Sequence, residues 1–173
     1  MAIKKILTYP NPVLRQKAET VTSFDDSLKQ LAVDLAETMY AAPGAGLAAN
    51  QIGVCLRVVV IDVSAEKEEK KHLVLVNPEI IEKEGCQVDE EGCLSVIDLT
   101  ANVERYSKLL VRAQDLDGKI REFPAEDFFA RVIQHELDHL KGILFIDHLS
   151  ALKRSLYKRR LKKLLREQEK EST

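Results

Sequence analysis

The sequence lacks most of the features that mark a specialised class of protein. It contains no tryptophan and only three cysteines among its 173 residues. Without a secretory signal, so few cysteines argue against a disulfide scaffold and indicate reduced thiols in the cytoplasm. No apolar run reaches about 18 residues, which argues against a membrane-spanning helix. The apolar start at residues 1–7 is too short for the core of a signal peptide.

Repeats, low-complexity segments and linkers are also missing, so the chain is predicted to fold as one unit. Its length and its 45% apolar content allow a sizeable core. Charge is unevenly distributed: residues 151–173 carry a net +6 and the rest of the chain −8, for an overall −2. We therefore predict a single domain at residues 1–150 and a basic segment at 151–173 that continues from it.

Hydrophobic periodicity predicts an α+β fold. Leucines and a methionine at helical spacing predict a helix over residues 26–41. Strands are predicted at 57–63, 73–76 and 109–114, with a hairpin turn at 115–118 leading into 120–123. Residues 66–71 are predicted to form a charged surface loop, and Pro124 to begin the segment leading to the last helix of the domain. Few helices and mostly antiparallel strands are typical of the α+β class.

The segment 135–139, HELDH, is the most informative part of the sequence. On a helix, His135 and His139 lie about one turn apart on one face and can bind one transition metal. Glu136 lies close enough to move protons for a water molecule that the metal activates. A solvated charged helix is the alternative, but the many apolar neighbours argue for burial, and a buried His-Glu-Asp-His cluster needs a partner.

Two histidines leave a catalytic metal one protein ligand short. In the metzincin pattern the third ligand follows a glycine downstream; here Gly142 is in place, but Phe145 cannot bind a metal and His148 comes too late. Cys93, in the segment EGCLS at 91–95, is a better candidate, because a Cys-His-His set suits zinc, ferrous iron or nickel. The alternative is a small buried hydrophobe, which we expect of Cys55 and Cys86.

A third segment, GAGLAANQ at residues 44–51, concentrates small residues. It lacks the ending of a phosphate-binding loop and does not follow a strand. Such a run indicates backbone brought close to a ligand or to another segment of chain. Gln51 ends it with an amide that can donate to an oxyanion. Taken alone, the run is better explained by a tight helix-to-strand connection.

Together, GAGLAANQ, EGCLS and QHELDH, in this order and spacing, resemble the three signatures of the peptide deformylases. The resemblance extends to residues 9–15 and 142–145, so it spans nearly the whole chain. It implies mixed, mostly antiparallel β-sheets packed around a central helix that carries the HExxH motif, with a C-terminal helix. It also implies that residues 1–150 form a single catalytic metallohydrolase domain, which removes the formyl group from the N-formylmethionine of nascent polypeptides.

The resemblance also implies a role for each matching residue. The metal ligands would be Cys93, His135 and His139, holding one divalent ion, Fe(II) in the cell, with zinc, nickel or cobalt also able to occupy the site. Glu136 would be the general acid and base. Gln51 and the backbone N–H of Leu94 would hold the formyl oxygen. Ala45 and Gly92 would pair with the substrate backbone, and Gly46 would let the substrate approach.

The sequence departs from the family pattern after EGCLS, where a proline usually follows one residue later. This chain has Ile97 at that position, which affects the rim of the expected cleft but not the ligands. Apolar residues of the metal helix, Phe128 and Val132, are expected to form the wall of the methionine pocket. Arg131 on the same face is expected either to place a charge at the pocket mouth or to form an ion pair with Asp89 or Glu90.

The basic segment is predicted to form an amphipathic helix, with leucines at 152, 156, 161, 164 and 165. Composition alone favours a solvated helical tail over an RNA-binding or membrane-surface helix. The family resemblance shifts the expectation to contact with the ribosome.

Two other functions are compatible with parts of this pattern. An HExxH metallopeptidase would cleave internal bonds, but it would need a ligand other than Cys93. A metal-stabilised RNA-binding or ribosome-binding protein would need no catalysis, but it would leave Glu136 and Gln51 without a role.

Overall fold

The computed structural model describes residues 3–171, except for the side chain of residue 67. Residues 1–2 of the predicted domain and residues 172–173 of the predicted basic segment lie outside the described residues. Helix α1 (Asp26–Ala41) begins after Asp25, whose carboxylate accepts a hydrogen bond from Leu28 N–H at 3.2 Å. The predicted bounds of this helix are confirmed. Its apolar positions, spaced by three and four residues, are all buried: Leu28, Leu31, Leu35 and Met39.

Seven strands form within residues 3–171. In chain order they are β1 (Gly46–Ala48), β2 (Val58–Ile61), β3 (Leu73–Glu84), β4 (Gln87–Cys93), β5 (Val96–Arg105), β6 (Lys108–Gln114) and β7 (Ile120–Glu126). Five of them make one sheet in the order β1-β2-β3-β6-β7, and β4 and β5 form a separate two-stranded sheet. All of these strand pairs are antiparallel.

Four strands of the five-stranded sheet were predicted, with partly wrong bounds, and β1 was not predicted. Strand β3 runs eight residues beyond its predicted end, because β6 pairs with its mostly exposed second half, across two irregularities in register. Strand β7 continues through Pro124, where the sequence indicated a break, and Pro124 lies there opposite Leu110. Because β7 is the last strand of its sheet, a proline can face the open side without costing a ladder hydrogen bond.

The β4–β5 hairpin was not predicted as a pair of strands. Its residues are mainly polar, and most of β4 is exposed, so the sequence shows no clear alternation of apolar and polar positions. Pairing between the two strands therefore depends on tertiary contacts rather than on a pattern within either strand. The hairpin carries the EGCLS segment at its turn.

Strand β2 is buried on both faces and separates two apolar layers. Val58 and Val60 pack with the buried face of α1, whereas Val59 and Ile61 pack with the second helix, α2 (Asp127–Leu140). A third apolar cluster joins the hairpin to the C-terminal helix, α3 (Ala151–Glu171). No helix among residues 3–171 is long and apolar enough to cross a membrane.

Candidate metal centre

The three side chains named as ligands from the sequence converge in the structure. Cys93 Sγ lies 3.3 Å from His139 Nε2, which lies 3.2 Å from His135 Nε2. All three atoms lie within 4.8 Å of one another, and within residues 3–171 they form the one such group able to hold a metal ion. Two local features produce this arrangement: the one-turn spacing of the histidines on α2, and the tight turn after Cys93 that ends β4.

The protonation of these groups suits a soft divalent metal. His135 Nδ1 lies 2.9 Å from Glu91 Oε1, so Nδ1–H donates to the carboxylate and Nε2 faces the other ligands. Burial lowers the pKa of His139 well below its ordinary value, which keeps that imidazole neutral. Cys93 Sγ accepts from Ser95 N–H at 3.4 Å. A sulfur and two imidazole nitrogens facing one another fit Fe(II), Zn(II) or Ni(II).

The pKa of His135 is shifted in the opposite direction to that of His139. Burial lowers it, but hydrogen bonds to Cys93 and Glu91 outweigh burial and raise it well above its ordinary value. A ligating imidazole offers its lone pair, so metal binding would release a proton held at Nε2 of His135.

Glu136 lies beside this group with its carboxylate in a dry environment. The residue is buried, and Oε2 has no hydrogen-bond partner among the described residues. Burial raises the pKa of Glu136 to about 7, with a further contribution from Glu91. A carboxyl group with this pKa can both accept and donate a proton near neutral pH.

Gly46 faces this carboxylate across a very short gap. A Cβ built on Gly46 would lie 2.8 Å from Glu136 Oε1 and 2.9 Å from Cγ. Any other residue would therefore displace the carboxylate. The sequence indicated a close approach of backbone in this segment, and the structure shows that the close neighbour is the side chain of Glu136.

Gln51 is held in place at both ends of its amide. Its Oε1 accepts from Ala48 N–H at 2.9 Å, and its Nε2 donates to Ser95 Oγ at 3.0 Å and points toward Cys93 Sγ at 3.9 Å. The side chain is buried at the end of a short 3-10 turn, Ala49–Ile52. Its donor end is thus fixed beside the sulfur. The partner Ser95 was not singled out from the sequence, although it belongs to the EGCLS segment.

A cleft of about 580 Å³ opens onto this group. It is lined by all the remaining residues expected to bind substrate and by the two expected pocket walls. These residues are Ala45, Gly46, Gly92, Leu94, Phe128 and Val132. All of the predicted site residues except the buried His139 therefore line one cavity, with Gln51 and Glu136 in its wall.

Glu91 is the centre of a buried ionic network that the sequence did not reveal. Both of its oxygens accept from Arg105, at 2.8 and 2.9 Å, and Arg131 also donates to Oε2. The expected ion pair of Arg131 with Asp89 or Glu90 is therefore wrong. Position 91 is the buried one, because it points from β4 toward α2, whereas the two preceding residues are exposed.

The network continues beyond Glu91 toward the C-terminal end of α2. Arg105 donates to Asp138 at 2.7 Å, and His148 Nε2 lies 2.9 Å from the same carboxylate. Burial would raise the pKa of Glu91, but the bonds from Arg105 and His135 hold it well below its ordinary value. Glu91 is thus a charged partner that orients His135. In the sequence, the position of Glu91 within EGCLS was the available sign of its role, whereas no local pattern singled out Arg105.

We expect Glu91→Gln to lower the free energy of unfolding by about 3–5 kcal/mol, because Arg105 and Arg131 are buried and would lose a charged partner. Metal affinity should fall about 10–100-fold through loss of the support for His135. Urea unfolding and competition with a chelator measure the two effects. Asp89→Asn, at an exposed position of the same strand, is the matched control and should change stability by less than about 0.5 kcal/mol. Equal stability of both variants would contradict the network.

The other two cysteines do not form buried apolar contacts as expected. Cys86 is exposed and lies 3.1 Å from Glu104 Oε1, and the nearby carboxylate, as a hydrogen-bond partner, raises the pKa of its thiol. Cys55 is half-buried, with its sulfur 2.9 Å from Gln16 Oε1. The prediction is wrong for Cys86, because the turn between β3 and β4 is open to solvent, and only partly right for Cys55.

With this geometry established, the chain matches known proteins over most of its length. The family model described as polypeptide deformylase matches residues 3–155. A peptide deformylase of Desulfotalea psychrophila is 56% identical over 164 residues, which cover 94% of this chain and 97% of that relative. The crystal structure of a peptide deformylase from Legionella pneumophila has a TM-score of 0.90 at 47% identity, covering 96% of this chain and 98% of its own.

A solved structure of lower sequence identity has a peptide bound. It is the Met-Ala-Ser-bound peptide deformylase of Acinetobacter baumannii, with a TM-score of 0.79 at 32% identity, covering 86% of this chain and 99% of its own. The matches together cover the segments that contribute the candidate ligands, the cleft and most of α3.

The match to this family, together with the α+β fold and the candidate Cys-His-His metal site beside a cleft, places the chain among the metal-dependent hydrolases. Within that class, the chain belongs to the peptide deformylase family. Its reaction is the hydrolytic removal of the formyl group from the amino terminus of newly made polypeptides, with release of formate.

Proposed function

We propose that Cys93, His135 and His139 are the metal ligands of this deformylase and that Glu136 is its general acid and base. The observation that carries the proposal is the convergence of the three donor atoms within 4.8 Å beside a buried carboxylate. When bound, the ion would supply Lewis-acid activation of water and of the formyl carbonyl. The same Cys-His-His set leaves room for a non-protein ligand, as catalytic sites require.

Proton transfer falls to Glu136. Its pKa of about 7, raised by burial, lets it take a proton from the attacking water at neutral pH. The same carboxyl group then returns that proton to the nitrogen of methionine as the C–N bond of the formamide breaks. The products are formate and a free amino terminus. Gly46 leaves the carboxylate the space that this proton transfer needs.

The formyl oxygen becomes negative as water attacks. The Nε2 of Gln51 and the backbone N–H of Leu94 are the donors that we assign to it, since both residues line the cleft beside Cys93. Gln51 is prepositioned by the hydrogen bonds at both ends of its amide. Donors that are already oriented stabilise the transition state without reorganisation during the reaction.

The substrate backbone is proposed to add as a strand along the cleft. Ala45 C=O accepts from Asp62 N–H at 2.9 Å, so the N–H and C=O of the next residue, Gly46, point away from β2 toward the free edge of β1. Across the cleft, β4 contributes Gly92 from a sheet of only two strands. The main-chain groups of Gly46 and Gly92 would give affinity, whereas the C=O of Ala45, which was expected to pair with the substrate, already accepts from Asp62 N–H. The pocket of Phe128 and Val132 would select methionine.

Formate release measures this function directly. Wild-type protein should release formate from formyl-Met-Ala-Ser and leave the unblocked Met-Ala-Ser intact. The peptide is chosen because the Acinetobacter baumannii relative has been solved with Met-Ala-Ser bound. Cleavage of internal bonds in unblocked peptides, without formate release, would favour the metallopeptidase instead.

The metal is proposed to be Fe(II) in the cell, with zinc, nickel or cobalt as replacements. A thiolate ligand makes an iron-loaded site sensitive to oxidation, since both metal and sulfur react with oxygen or peroxide. Protein purified anaerobically should contain about one iron per chain and lose activity in air, whereas nickel-loaded protein should keep it. Activity of the iron form that is unchanged after aerobic storage would contradict the iron assignment, but not the reaction.

The C-terminal segment is proposed to be a basic helix continuous with the catalytic domain of residues 1–150. Its buried residues are Tyr157 and Leu161, which pack with Leu14 and Phe145 in the third apolar cluster. Leu152 and Leu156, expected on the apolar face, are exposed. A truncation after Ala151 would therefore open the core. Substitution of exposed basic residues is a cleaner test of ribosome contact.

We expect the triple variant Lys162→Gln, Lys163→Gln, Arg166→Gln to weaken ribosome binding without changing turnover of formyl-Met-Ala-Ser. Three lost phosphate contacts should reduce the slope of log affinity against log salt by about 2. Sedimentation binding at several salt concentrations measures the slope. Glu167→Gln, at an exposed position of the same helix, is the control and should leave the slope unchanged. An unchanged slope for the triple variant would contradict the ribosome contact. Such a partner would place the protein in the cytoplasm.

A further inference from the structure

Strand β5 carries a three-residue bulge directly beside the candidate ligand Cys93. The register pairs Gly92 with Thr100, and the next residue of β4, Cys93, pairs with Val96. One step along β4 therefore corresponds to four steps along β5, which leaves residues 97–99 without partners in the ladder. Asp98, at the centre of the bulge, has a φ of 55°, in the left-handed region. Bulges of this kind redirect side chains next to active sites.

Helix α3 supplies donors to the carbonyl groups of this bulge. Tyr157 Oη donates to Ile97 C=O at 2.8 Å, and Arg160 Nη2 donates to Asp98 C=O. Backbone carbonyls that lie out of register with a neighbouring strand need such partners when they are removed from water. Tyr157 is 3% exposed, and its ring packs in the cluster that also contains Leu99 and Val96. The helix thus holds one side of the bulge at two successive carbonyls.

The other side of the bulge forms part of the cleft wall. Asp98, Leu99 and Thr100 line the same 580 Å³ cavity as the candidate metal centre. Asp98 and Thr100 are exposed, whereas Gln51 and Glu136 are buried, so the bulge lies at the open end of the cleft. A peptide substrate would pass this end with the residues that follow its formylmethionine. Ile97, which replaces the usual proline, is one of the residues whose carbonyl α3 holds.

We propose that Tyr157 and Arg160 are positioning residues, through which the C-terminal helix sets the outer wall of the peptide cleft. The proposal rests on the proposed function, since it assumes that the substrate lies in this cleft. Its consequence is selectivity by substrate length. Contacts to residues beyond methionine depend on the helix, whereas hydrolysis of the formyl group itself does not.

The test compares wild-type protein with Tyr157→Phe, which removes only the hydroxyl group and keeps the packed ring. For formyl-Met-Ala-Ser, KM should rise about 2- to 10-fold, the range expected for the loss of one neutral hydrogen bond, with kcat within twofold of wild type. For free formylmethionine, both constants should stay within twofold. Arg160→Met should shift KM in the same direction, and Arg159→Met, at an exposed position of the same helix, should not.

The kinetic results distinguish the positioning role from general damage to the fold. Equal KM values for Tyr157→Phe and wild type with the tripeptide would overturn the positioning role. An equal loss of kcat on both substrates, together with loss of metal, would overturn it as well, because that pattern reflects general damage to the fold. If wild-type protein released no formate from either substrate, the proposed function would fail before the role of the helix could be judged.

Discussion

Glu136→Ala should lower kcat for formyl-Met-Ala-Ser by about 10²–10⁴-fold while leaving about one metal ion per chain. The candidate metal ligands are Cys93, His135 and His139. The Glu136 carboxylate makes no hydrogen bond with their donor atoms. Loss of the carboxylate therefore removes proton transfer but not the metal site. Formate release at saturating substrate and metal analysis of the same preparation measure the two quantities.

The volume of the side chain requires a control, because Glu136 is buried against Gly46. Glu136→Gln keeps the shape and removes the titratable group, so it should lose activity to a similar extent with little change in stability. Glu126→Gln, at an exposed position just before α2, should behave as wild type. Retained activity in Glu136→Gln would contradict the acid-base role. Unfolding of both Glu136 variants would favour the non-catalytic, metal-stabilised protein.

Gln51→Leu should reduce kcat about 10²–10³-fold, which corresponds to about 2.7–4 kcal/mol of lost transition-state stabilisation. The expected loss comes from one donor to the formyl oxygen at the moment when that oxygen becomes negative. KM should change less, because the same bond is weaker to the neutral ground state. Metal content should stay close to that of wild type, since Gln51 lies 3.9 Å from Cys93 Sγ and is not a candidate ligand. Equal activity would refute the assignment.

A second variant separates this catalytic effect from a structural one. Gln51 Oε1 is the acceptor of Ala48 N–H, so leucine leaves that buried donor unpaired at a cost of about 1–3 kcal/mol in the free energy of unfolding. Gln51→Glu keeps an acceptor at this position but loses the Nε2 donor. Both variants should lose activity, whereas the leucine variant should lose more stability. If Gln51→Glu is as active as wild type, the donor has no catalytic role.

Two parts of the molecule follow from local sequence. The helix predicted at about residues 26–41 is confirmed as Asp26–Ala41, because its apolar positions repeat with helical spacing. The structure adds that Asp25 caps its N-terminus. The pairing of His135 with His139 follows in the same way from the helical repeat. Both depend on contacts between residues only a few positions apart, which a single sequence displays directly.

The third candidate ligand required more than periodicity. Cys93 lies 42 residues before His135, and it was a candidate only because the two histidines lacked a third ligand and a Cys-His-His set suits a metal. The resemblance to the deformylases gave it the role of ligand, and the β4–β5 hairpin brings its sulfur to the histidines. The hairpin itself went unpredicted, since its strands are mostly polar and exposed.

By itself, the sequence determined the helices whose residues interact a few positions apart, the three motifs and the uneven distribution of charge. Tertiary structure alone decided that Arg131 pairs with Glu91, that Arg105 joins them, and that Tyr157 holds the bulge beside Cys93. Each of these contacts joins residues between 14 and 60 positions apart. Such pairs form because folding buries a charge or a carbonyl that must then find a partner, and which partner is near depends on how the layers pack.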